Sequence, residues 1–206
     1  MAILAGANQE HEGDTMARVT MIPPETDDAQ VREVYDGVLE QWGRISNFSK
    51  VLAHQPAALR GWMLPNEAIR LKNVKANPDY VKIQQLVIIK TSALNRSAYC
   101  TSHNVPLGRK IGLSDAQITA AQGNDYMASP VLDPRQKAAI RWAEVVTNMT
   151  ARDDEAAFQA MREHFSEQQI VELTVFCGMW NYSNRLCEAL HVDLERPDNR
   201  IEFQER

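Results

Sequence analysis

Between its glycines and prolines this chain repeats one pattern, apolar side chains three and four residues apart with polar ones between, which predicts amphipathic helices. In "PPETDDAQVREVYDGVLEQWG" the apolar set is Val31, Val34, Tyr35, Val38 and Leu39, behind a double proline and an acidic first turn, with Gly43 as the stop. "NFSKVLAHQ" and "PAALRGWMLPNEAIRL" predict shorter helices, the second interrupted by Pro65. "NPDYVKIQQLVIIKTSALN" opens with Asn77 as a cap and Pro78 at the first helical position. Its centre, Leu86 to Ile89, is apolar on all sides, so this helix is expected to be central and buried. A short strand is the alternative for "LVII", and the helical period of both flanks favours the helix.

Ser97 to Ile111 reads as the next helix, stopped by Gly112. "GLSDAQITAAQ" holds Ser114 and Gln117 at capping-box spacing, and "SEQQIVELTVFCGMWNYSNRLCEALHV" repeats it with Ser166 and Gln169. "LDPRQKAAIRWAEVVTNM" pairs an Asp cap with a first-turn proline, and "DDEAAFQAMREHF" adds one more helix. With no strand alternation the expectation is an all-α fold of about eight helices joined by short loops. An internal pseudo-repeat of two halves is also suggested. "QLVIIKTSALNRSAYCTSHN" can be laid over "ELTVFCGMWNYSNRLCEALH", putting Gln85 on Glu172, Cys100 on Cys187 and Asn104 on His191. Chance similarity between two apolar helices is the competing account.

Composition narrows the classes. At 206 residues, 44% hydrophobic and 24% charged, the chain is long enough for one core. The expected layout is a polar arm over 1–19, one domain over 20–195 and a tail over 196–206. A net charge of -5 with no Lys/Arg cluster argues against a nucleic-acid surface. The same balance means that an anionic substrate would need local positive groups. No apolar run is long enough for a membrane span, and the first residues lack the basic flank of a signal peptide. Three cysteines with no close pair suit reduced thiols in a cytoplasm.

Candidate chemistry gathers in "NRSAYCTSHNVPLGRKIGLS". On a helix, Ser97, Cys100, His103 and Asn104 share one face, with Tyr99 beside it. Pro106 predicts a kink, and Gly108 permits close packing. A thiol near a helix start is biased toward thiolate, and a nearby imidazolium would push the same way. Cys100 and His103 thus suit a nucleophile and its acid/base partner, while buried packing residues are the plainer account. Only two metal-ligand types stand close together, with no CxxC or HExxH, so no metal and no cofactor is expected.

"QQLVIIKTSALNRSAYCTSHNVPLGRKIGLSDAQI" resembles the core of the alkylhydroperoxidase D and carboxymuconolactone decarboxylase superfamily, and "IPPE" and "VLAHQPAALRGW" follow the layout of its longer members. The resemblance implies an all-α helical bundle and a homo-oligomer (dimer, trimer or hexamer). The redox branch uses a glutamate, a Cys-x-x-Cys pair and a histidine, which fall here on Gln85, Ser97, Cys100 and Asn104. His103 and Tyr99 match residues of a "YCxxHH" variant. Without a thiol at Ser97, the branch's two-cysteine peroxidase cycle is not expected to run. Decarboxylase chemistry also loses a histidine at Asn104. In the second half, Glu172, Cys187 and His191 repeat the branch's glutamate, second-cysteine and histidine spacing, which makes them a second candidate set.

Three functions are weighed. In the first, a small-molecule enzyme uses Cys100 as a single catalytic thiol and His103 as base, for lyase, isomerase or lactone chemistry on an unsaturated organic acid. Gln85, Ser97, Tyr99 and Asn104 would then bind the substrate. The second is a one-cysteine peroxidase whose sulfenic acid is resolved by an external thiol. The third is a non-catalytic oligomer that binds a hydrophobic metabolite among Trp62, Trp142, Trp180 and Tyr182.

Overall fold

The structure, a computed structural model, describes residues 17–195. Residues 1–16 of the expected arm and the whole 196–206 tail lie outside the described residues. All regular structure among the described residues is helical, in ten α-helical segments with one π-helical and two 3-10 pieces.

α1 (Ala29–Trp42) begins later than the double proline suggested. The Asp28 side chain accepts the N–H groups of Gln30 and Val31 at 2.8 and 3.2 Å, so the acids stand before the helix rather than in its first turn. Gly43 ends it at φ 72. α2 (Asn47–Leu52) is capped by Ser46, and α3 (Pro56–Pro65) has Pro56 in its first turn. Pro65 interrupts the α-helix, as expected, without ending the helical path. It removes one donor from the helical ladder, and the backbone widens into a π-helical turn, Asn66–Leu71, before resuming as α4 (Lys72–Ala76). This split is why there are more segments than the expected eight or so.

α5 (Pro78–Leu94) is capped by Asn77, whose side chain accepts from the Tyr80 N–H at 3.2 Å. It packs against α6 (Ala98–Lys110), α7 (Asp115–Gln122), α8 (Pro134–Thr147) and α10 (Glu167–Leu190), with α9 (Glu155–His164) laid on α8. Leu86, Val87 and Ile88 are wholly buried, as its all-round apolar centre predicts. A Cβ on Gly108 would stand 3.2 Å from Ile89 Cδ1, so the glycine lets α6 lie close on α5. Capping boxes close the starts of α7, α8 and α10. The two stretches aligned in sequence have different local folds: α5, a turn with Arg96 at φ 53, and α6 on one side, a single unbroken α10 on the other. Among the described residues no helix is long and apolar enough to cross a membrane.

Candidate functional site

α6, the π turn and the inner face of α10 meet around a cavity of about 60 Å³. Its apolar wall is built from Trp42, Phe48, Trp62 and Trp180, with ring centroids 4.9 Å apart for Phe48–Trp62 and 6.3 Å for Trp62–Trp180. Trp62 Nε1 donates to Ser183 Oγ at 2.8 Å, which ties α3 to α10 and fixes the ring. Tyr99, Cys100, His103 and Asn104 form the α6 side of the cavity, while Gln85 and Ser97 stand behind it.

Ser97 is the α6 cap, with its hydroxyl accepting the Cys100 N–H at 3.4 Å. Cys100 therefore sits in the first turn, where the helix dipole favours negative charge. Its thiol is lowered from the ordinary value, chiefly by a hydrogen bond from Cys187, with Ser97 adding a second and burial opposing both. Cys187 is pushed up, first by that hydrogen bond and then by burial and by the Cys100 charge. Of the two thiols, Cys100 is thus the one biased toward the thiolate. The sequence offers Cys100 no partner thiol at Ser97, and the structure brings another cysteine near the start of α6. Ser97 stands where the resemblance implies the nearer thiol, and the end of α10 brings Cys187 from far along the chain to the first turn of α6.

A buried polar chain backs this pair. Arg70, only 2% exposed, donates from Nη2 to Gln85 Oε1 and lies over the Trp180 ring at 5.5 Å. Gln85 Nε2 donates to the Asn104 carbonyl oxygen at 2.7 Å and to Asn104 Oδ1 at 3.3 Å. Asn104 Nδ2 in turn donates to the Cys100 carbonyl oxygen at 2.8 Å. Position 85 must accept from a guanidinium and donate to a carbonyl, which an amide does and an ionised carboxylate cannot. Desolvation pushes Arg70 down to about 9, which leaves it protonated at neutral pH. It is the local positive group that an anionic substrate would require, and sequence reading missed it.

The remaining candidates separate. Tyr99 gives the cavity its ring, but its hydroxyl donates to Glu195 at 2.8 Å and accepts from the Phe48 N–H at 3.1 Å. His103 lines the cavity against Tyr99, centroids 4.8 Å apart. Glu172 accepts from Tyr80, Lys72 and Gln168 in a separate polar cleft. It lies about 22 Å along the helix from Cys187 at 1.5 Å per residue. His191 is the exposed cap of α10 at φ 51, so the second-half set does not converge on one site. Trp62 and Trp180 reach the cavity, whereas Trp142 packs on Phe158 and Tyr182 is exposed. Cys177 is raised by burial and is held by Thr147 and Thr91 at 3.3 and 3.5 Å.

No family model matches the chain. Over 108 residues it is 26% identical to the uncharacterized protein YdfG of Bacillus subtilis (strain 168), a span of 52% of this chain and 72% of the relative. The alkylhydroperoxidase AhpD core of Ralstonia eutropha JMP134, an uncharacterized peroxidase-related protein, superposes with a TM-score of 0.73 at 21% identity, covering 89% of this chain and 94% of that one. The debrominase Bmp8, as a cysteine-to-alanine variant in complex with 2,3,4-tribromopyrrole, gives 0.67 at 16% identity, over 88% and 94%. The order of helices, the central α5 and these superpositions agree: the chain has the AhpD-like all-α fold.

Proposed function

We propose that this chain is a thiol-dependent enzyme that reduces a small organic hydroperoxide, with Cys100 as the attacking group. One observation carries it: Cys100 is biased toward thiolate on the wall of an aromatic cavity. The thiolate attacks the terminal peroxide oxygen, the O–O bond breaks, and the alkoxide leaves as an alcohol after taking a proton. The sulfur is left as a sulfenic acid. His103 on the same wall is the candidate proton source, and Arg70 supplies positive charge toward the developing alkoxide. The peroxidase-related neighbours, and the debrominase complexed with a halogenated pyrrole, support a pocket suited to small organic molecules. With cumene hydroperoxide and dithiothreitol, the protein should consume peroxide at a rate that depends on both. Undiminished turnover by Cys100→Ser would overturn the proposal.

Arg70 favours a second reading. A buried cation beside His103 suits an unsaturated organic acid held by its carboxylate, with lyase, isomerase or lactone chemistry following proton movement. Turnover of such an acid without any reductant, and without oxidation of Cys100, would select it. Ligand binding that survives Cys100→Ser, with no turnover of either kind, would instead leave a metabolite-binding protein. A homo-oligomer belongs to all three readings, supported by the apolar Val171, Val175 and Tyr182 left exposed along α10.

A further inference from the structure

We propose that Cys187 is the resolving thiol of a Cys100–Cys187 redox pair that joins the start of α6 to the end of α10. This rests on Cys100 being the attacking thiolate and goes beyond it by naming where the oxidised sulfur goes.

The placement is built from both helices. Cys187 lies on the buried stripe of α10 formed with Trp180, Ser183 and Asn184, and Trp180 and Ser183 themselves line the cavity. The first residue of α6, Ala98, donates its N–H to Glu188 Oε1 at 3.1 Å, which clamps the two helix ends together beside the thiols. Both cysteines are buried and free, and each shifts the other's thiol, Cys100 downward and Cys187 upward. Cys177, by contrast, is occupied by the Thr147 and Thr91 hydroxyls and the Ala143 carbonyl.

The chemistry closes with the peroxide and one outside dithiol reductant. Peroxide oxidises Cys100 to the sulfenic acid and is reduced to the alcohol. The Cys187 sulfur then attacks the Cys100 sulfur, the S–O bond breaks, and water leaves with the Cys187 proton. A dithiol reductant attacks the resulting disulfide, supplies two electrons and returns both thiols. The hydrogen bond with Cys100, burial and then a Cys100 thiolate all raise the Cys187 thiol, and oxidation of Cys100 removes the thiolate's share, so Cys187 becomes easier to ionise when it is needed.

The test treats the reduced full chain with one equivalent of cumene hydroperoxide, blocks remaining thiols with N-ethylmaleimide, and maps the unreduced digest by mass spectrometry. The expected product is a Cys100–Cys187 disulfide with Cys177 alkylated. Cys187→Ser keeps a hydrogen-bond donor beside Cys100 but removes the second sulfur. With its fold checked by circular dichroism, it should accumulate a Cys100 sulfenic acid that dimedone traps, and multiple turnover with a dithiol should fall at least tenfold. If wild-type protein consumes peroxide while Cys187 stays alkylatable, or if Cys100 pairs with Cys177 or with another chain, the resolving role is overturned and the peroxidase reading stands. If Cys100 is oxidised in neither protein, the peroxidase reading fails and the resolving role falls with it.

Discussion

Each of the three sulfurs has its own surroundings, and these set an order of reactivity. The hydrogen bond from Cys187, the Ser97 hydroxyl and the helix start favour the Cys100 thiolate, whereas burial raises Cys177. A lowered thiol carries more thiolate at neutral pH, so iodoacetamide should modify Cys100 roughly tenfold faster than Cys177 in the native protein. Equal rates, read by peptide mass spectrometry, would return Cys100 to a packing role. Gln85 is the other decisive single residue, because it satisfies Arg70 and the Asn104 carbonyl at once. Gln85→Met keeps the volume and takes one buried hydrogen-bond partner from each, so urea unfolding should show a loss of about 2–4 kcal/mol. The α6 face of Ser97, Cys100, His103 and Asn104 was legible because helical spacing is local. Cys187 and Arg70 were not placed there by the sequence. Cys187 arrives through tertiary packing, and an arginine in "NEAIRL" reads as a solvated end until a π turn swings it inward.

Helix starts were the most readable elements, since a cap and its N–H partners lie within three residues. Asn77, Ser114, Asp133 and Ser166 all cap as their spacing predicts. Pro65 does interrupt the α-helix, but whether loss of one donor ends a helix or widens it into a π turn is decided only by the packing of α3 and α4 on their neighbours. Ser97 was read as the first helical residue and is the cap instead. That difference has a measurable side. Ser97→Ala should cost about 1 kcal/mol of stability, the usual value of a lost cap. It should also move the pH midpoint of Cys100 alkylation upward, because one hydroxyl that favours the thiolate is gone. A stability loss with an unmoved midpoint would limit Ser97 to capping.

For the molecule as a whole, α10 is apolar on the face it buries and carries Val171, Val175 and Tyr182 on the face it leaves open. Light scattering at micromolar concentration should therefore report more than the monomer mass, and Val175→Lys should shift it toward the monomer. A wild-type protein that runs as a monomer would count against the assembly. The clamp between Ala98 and Glu188 also brings together two points of the chain that are remote in sequence. A covalent bond between Cys100 and Cys187 there would close about half of the domain, α7 to α9 included, into a ring. By chain-entropy arithmetic a ring of roughly 90 residues takes about 4–5 kcal/mol of freedom from the unfolded chain. The oxidised protein should then melt about 10 °C above the reduced one, a gap that vanishes in Cys187→Ser. A thermometer would read the oxidation state of the thiols, and the protein would be hardest to unfold at the moment it is waiting to be reduced.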